Sequence, residues 1–179
     1  TKGSITSDAL NGDINSGTTL AGMDVTFRAL NGSIDALDTT AGRDLYFEAG
    51  KLLKIGKASA GGEMTLIGGT GFIADTLRSK KGNVKVTVRQ GDLSIREVDA
   101  GIDALLNAPF GNISLQLVKA GRDIVAKAGK NIDVGTGVAG RNFVLASTGG
   151  NIKVGQGESR KLDFSAPGEI DAGTQKVGQ

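Results

Sequence analysis

A Gly-x-Ile triplet returns along this chain at a nearly fixed interval: Gly12-Asp13-Ile14, Gly32-Ser33-Ile34, Gly71-Phe72-Ile73, Gly111-Asn112-Ile113, Gly150-Asn151-Ile152 and Gly168-Glu169-Ile170. Looser copies centred on Leu53, Leu93 and Ile132 fill the gaps, so apolar anchors recur every 18 to 20 residues across nine copies. A fixed period of this length overrides any segment-by-segment reading, because it marks a stack of equivalent units. Half a period away runs a second ladder: Ala21-Gly22-Met23-Asp24, Ala41-Gly42-Arg43-Asp44, Ala60-Gly61-Gly62-Glu63, Ala100-Gly101-Ile102-Asp103, Ala120-Gly121-Arg122-Asp123 and Ala139-Gly140-Arg141-Asn142.

Between the ladders, apolar and polar residues alternate as they do in strands, for example Val25/Phe27/Ala29, Leu45/Phe47/Ala49 and Val84/Val86/Val88. Alternation resumes after each anchor, as in Leu53/Ile55, Leu93/Ile95 and Ile113/Leu115/Leu117, so each period holds at least two strands. Repeated glycine, β-branched residues and period-two patterning oppose a helical repeat. Antiparallel hairpins fit less well than coiling in parallel, because the anchors keep one register from copy to copy. The expected architecture is all-β, a right-handed parallel β-helix of about nine coils of 19–20 residues, forming one repeat domain over 1–179. The first and last coils would present unpaired edges unless more chain adjoined them, so a fragment of a longer protein is expected.

Composition narrows function. The chain has no cysteine and no histidine, which removes thiolate chemistry, the usual transition-metal ligands and the commonest general base. Its 21 basic and 19 acidic residues are intermixed, with Lys80-Lys81 and Arg160-Lys161 as the basic doublets, which gives nucleic-acid binding no support. No apolar run approaches the roughly 20 residues of a membrane span. A β-helical polysaccharide-active enzyme would need carboxylates converging in a groove walled by long loops, and the near-constant period leaves no room for such loops. No catalytic residue, metal or cofactor is therefore expected.

The corner glycines are expected to supply positive φ. The column Asp24, Asp44, Glu63, Asp103, Asp123 and Asn142 has oxygen ligands suited to calcium, but it reads better as turn residues capping their own backbone two positions on. Arg43, Arg122 and Arg141 share one column, and two of them fall in adjacent coils, which makes them the candidate ligand-binding residues for a sulfate- or carboxylate-bearing glycan. Thr18-Thr19 and Thr39-Thr40 stop after two coils, too short for an ice-binding array. Lys81-Gly82-Asn83-Val84 and Ala108-Pro109-Phe110-Gly111 depart from the ladders and mark either a bulge or a site.

The run Ala-Gly-Arg-Asp-Leu/Ile, at Ala41 to Leu45 and Ala120 to Ile124, followed by Gly-Asn-Ile, resembles the haemagglutinin repeats of filamentous haemagglutinin and related two-partner-secreted exoproteins. That resemblance covers most of the chain. It implies a β-helical shaft on a secreted, cell-surface adhesin or toxin-delivery protein, exported through an outer-membrane partner pore and meeting host or bacterial glycans or receptors. No segment resembles that family's amino-terminal secretion domain or a toxin tip, so neither role falls to these residues.

Overall fold

The computed structural model describes residues 1–178, and among them there is no helix. Nine short strands, β1 (Ile5–Ala9), β3 (Val25–Ala29), β5 (Leu45–Ala49), β7 (Met64–Gly68), β9 (Val84–Val88), β11 (Ala104–Ala108), β13 (Asp123–Ala128), β15 (Asn142–Ser147) and β17 (Lys161–Ser165), form one parallel sheet. Nine longer ones, β2 (Ile14–Ala21), β4 (Ile34–Ala41), β6 (Leu52–Ala60), β8 (Gly71–Ser79), β10 (Leu93–Ala100), β12 (Ile113–Ala120), β14 (Ile132–Ala139), β16 (Ile152–Ser159) and β18 (Ile170–Val177), form a second. Each coil contributes one short and one long strand, each paired with its counterparts in the adjoining coils, which makes a parallel β-solenoid of nine coils.

The long strand is bent. Ser16 pairs with Ala36 and Thr18 with Asp38, and every later coil likewise passes over one position in mid-strand. Two successive residues face outward there, and the inward phase then resumes one residue late, so Leu117 faces out while Val118 is buried. A coil thus has three sides, of which the alternation had identified two. Thr19 and Thr39 belong to the third and point inward; their column continues as Ala58, Leu77, Val98 and Val118.

The column is filled by compensation between neighbouring sides. Where it narrows to Gly137 and Gly157, the Phe143 ring occupies the space; a Cβ on Gly137 would strike that ring. Phe27 stacks on Phe47 with centroids 4.8 Å apart, and Phe143 meets Phe164 edge-on at 5.4 Å.

Two expectations need correction. The fourth anchor is Phe72, which pairs with Leu53 and Leu93 and is fully buried, whereas Ile73 is 48% exposed. Leaving Gly68-Gly69-Thr70, the chain enters β8 one residue early, so the bulkier ring takes the core position. The register is recovered by one added residue at Lys80-Lys81. That bulge is tied down by Ser79, whose hydroxyl donates to the Gly62 carbonyl and accepts from the Gly82 N–H at 2.9 Å. Ser79 stands where the neighbouring coils have Ala60 and Ala100.

The glycines, too, are needed for a different reason. Among the described residues only Gly91 has positive φ, at 103°. Elsewhere the constraint is proximity: a Cβ on Gly42 would run into the carbonyl oxygen of Gly22 one coil below, and one on Gly140 into that of Gly121. Coils stacked at about 4.8 Å leave no room for a side chain directed along the axis.

Candidate functional site

At the Ala-Gly corner the acidic column caps the coil above it. The amide of Asp44 donates to Asp24 Oδ1 (3.2 Å), that of Glu63 to Asp44 Oδ1 (2.8 Å) and that of Asn83 to Glu63 Oε1 (3.2 Å). The series continues with Asp103 donating to Asn83 Oδ1 (3.0 Å), Asp123 to Asp103 Oδ1 (3.2 Å) and Asn142 to Asp123 Oδ1 (3.1 Å). The capped amide thus lies 19 or 20 residues ahead, where the turn reading had placed it two ahead. Asn83 holds the ladder together through the Lys81-Gly82-Asn83-Val84 irregularity.

Each candidate arginine sits on this ladder. Arg43 Nε donates to Asp24 Oδ1 at 2.7 Å, Arg122 Nε to Asp103 Oδ1 at 2.8 Å and Arg141 Nε to Asp123 Oδ1 at 3.0 Å; in each case Nη2 engages the second carboxylate oxygen. Arg122 also approaches Asp123 Oδ2 at 3.5 Å. The structure brings Arg122 and Arg141 together in adjacent coils and leaves Arg43 four coils away. Arginine and aspartate alternate there, so the edge is close to neutral. The Arg43 guanidinium holds the Asp24 carboxyl below its ordinary value, and Arg141 does the same for Asp123; the arginines are raised in turn by their carboxylates. All three guanidinium groups remain half exposed, with Nη1 outside these pairs.

The other corner carries a second ladder, built from the middle residue of Gly-x-Ile. Asn112 donates its amide to Asp92 Oδ1 (2.7 Å), Asn131 to Asn112 Oδ1 (3.1 Å), Asn151 to Asn131 Oδ1 (2.9 Å) and Glu169 to Asn151 Oδ1 (2.9 Å). The Asn112 backbone N–H is the main reason the Asp92 carboxyl lies low. The recurrence of Asp or Asn before the anchor was visible in the sequence, but its partner a full coil away was not.

One polar cluster was missed altogether. On the outer face of the short-strand sheet Glu48 accepts from Arg89 Nη2 (2.6 Å) and from the Tyr46 hydroxyl (2.8 Å), with Arg28 Nε at 3.7 Å. Arg89 is the main cause of the low Glu48 pKa, while burial pushes Tyr46 up. Arg89 reaches past Gly68 and Gly69 to a residue two coils below, and no periodic signal links positions 41 apart.

Among the described residues, no group of three or more acidic side chains is placed to hold a metal ion. No known protein family matches the chain, and no curated protein or solved structure is detectably similar to it.

Proposed function

We propose that this solenoid is a structural repeat shaft of a large secreted bacterial surface adhesin or haemagglutinin, projecting adhesive or toxin-bearing segments from the cell. The reading is supported by one observation above others: the Asp and Asn side chains of both corner ladders are engaged in coil-to-coil caps, an arrangement that lengthens a rod. It also rests on the resemblance of Ala-Gly-Arg-Asp-Leu/Ile to haemagglutinin repeats, which brings with it secretion through an outer-membrane partner pore. On this reading the chain performs no catalysis, needs no cofactor, and neither binds nucleic acid nor inserts in a membrane. The exposed Arg122 and Arg141 pair, with Arg43 further along, favours a second reading in which the edge itself binds glycans or receptors.

A shaft should be modular. Deleting residues 113–131 joins Asn112 to Ile132, restores Gly-Asn-Ile and removes one coil. The expected product unfolds cooperatively and is about 5 Å shorter by small-angle scattering. A deletion product without cooperative unfolding would argue against interchangeable coils and against the shaft.

A further inference from the structure

The bend in the long strand makes a third corner, and one residue of each coil stands at its tip, between the paired positions that bracket it. From the second coil to the seventh these residues are Leu37, Gly56, Asp75, Arg96, Gln116 and Gly135. Leu37 is 61% exposed and has bare glycines, Gly17 and Gly56, in the coils on either side. Asp75 and Arg96 are exposed neighbours of opposite charge, yet among the described residues neither side chain makes an ion pair or a hydrogen bond. Elsewhere on the same sheet opposite charges one coil apart do pair, Lys54 with Asp35 at 3.1 Å and Arg78 with Asp99 at 3.3 Å. This edge therefore carries a projecting leucine and two uncommitted charges that no contact within the rod uses.

We propose that this edge pairs with the same edge of a second copy, antiparallel, about a twofold axis midway between the fourth and fifth coils. Such an axis brings one patch onto itself in reverse order. Asp75 then lies opposite Arg96 of the second copy, and Arg96 opposite Asp75 of the second copy. Leu37 meets Gly135 and Gln116 meets Gly56, so each large side chain faces a position without one. Parallel rods in register would instead set Asp75 on Asp75 and Arg96 on Arg96, which like-charge repulsion opposes. Six coils of edge at about 4.8 Å each and about 10 Å wide give roughly 300 Å² per copy, well short of the roughly 800 Å² of a standard stable interface. The pair is therefore weak, with a dissociation constant on the order of 0.1 mM, and gains strength where many copies face one another. Rods projecting from two facing surfaces meet in this antiparallel sense, so the contact joins cells; that consequence rests on the shaft reading, whereas the pairing itself does not.

Sedimentation equilibrium of the purified chain, between about 10 µM and 1 mM, tests the pairing. A monomer–dimer equilibrium that weakens with added salt is expected. Asp75→Arg alone and Arg96→Asp alone should each weaken it by about tenfold or more, and Leu37→Ser by about fivefold. An equimolar mixture of the two charge-reversed chains should dimerise again, as should the double exchange Asp75→Arg/Arg96→Asp, because opposite charges then face each other. The axis lies within one coil of the middle of the rod, so small-angle scattering should show a thicker particle of nearly unchanged length. A doubled length would mean end-to-end stacking and would overturn the edge. So would a dimer indifferent to either charge reversal, or a mixture that stays monomeric. A chain monomeric at the highest concentration would overturn the pairing while leaving the shaft intact.

Discussion

The two corners of the coil solve one problem with different chemistry. At both, a side-chain oxygen in one coil accepts the backbone N–H of the next, satisfying amides that a tight turn would otherwise leave bare. The anchor corner does this with asparagine at Asn112, Asn131 and Asn151, whose neutral amides stack without repulsion. The Ala-Gly corner uses carboxylates such as Asp103 and Asp123, and stacking like charges at about 4.8 Å is unfavourable unless it is offset. Arg122 and Arg141 provide that offset. The arginines are thus accounted for by the carboxylates beneath them before any ligand is considered.

The largest effect should come from what the corners share. Gly140→Ala and Gly111→Ala each drive a Cβ into a carbonyl oxygen one coil away. Each should cost about 3 kcal/mol, or about 6–12 °C in melting temperature by circular dichroism. If only one of the two were damaging, the corners would differ in coil spacing as well as in charge.

A smaller effect should separate them. Asp123→Ala orphans the Asn142 amide and frees Arg141, and should cost about 2 kcal/mol in urea unfolding, against about 1 kcal/mol for Asn131→Ala. Asp123→Asn keeps the cap and gives up ion pairs with the half-exposed Arg141 and Arg122, so most of the loss should return. Equal costs for the two alanine variants would mean that the charge adds nothing to the cap.

Acid should produce the smallest difference. The folded-state pKa values of Asp24 and Asp123 lie below the ordinary 3.8, so their contribution is complete above that value and is lost as pH falls through the depressed one. Between about pH 5 and pH 2, Asp24→Asn/Asp123→Asn should therefore lose less thermal stability than the parent chain. An identical slope in the two proteins would exclude these carboxylates as the acid-sensitive element.

The repeat, the parallel stacking and most inward positions were legible because a period of about twenty constrains every coil at once. Where local signals competed, legibility failed. Phe72 and Ile73 are both apolar strand formers, and only pairing with Leu53 and Leu93 decides which one enters the core. The bend in the long strand was hidden because Leu117 and Val118 are both apolar, which conceals the change of phase. Asp and Asn at the corners signalled capping correctly, yet a side chain that caps two residues ahead and one that caps a coil ahead look alike in one dimension. For the candidate arginines, the sequence brought Arg122 and Arg141 into neighbouring coils but gave no sign that each holds a carboxylate from the coil before.

Because both sheets pair coil to coil, the backbone hydrogen bonds run along the long axis. A pull applied at the two ends loads the outermost coil first and leaves inner coils shielded until it has peeled. Each coil released pays out about twenty residues, or about 65 Å of extended chain, in place of about 4.8 Å of rod. Such a rod yields by lengthening, one turn at a time, and holds its connection under a tension that would part a short rigid link.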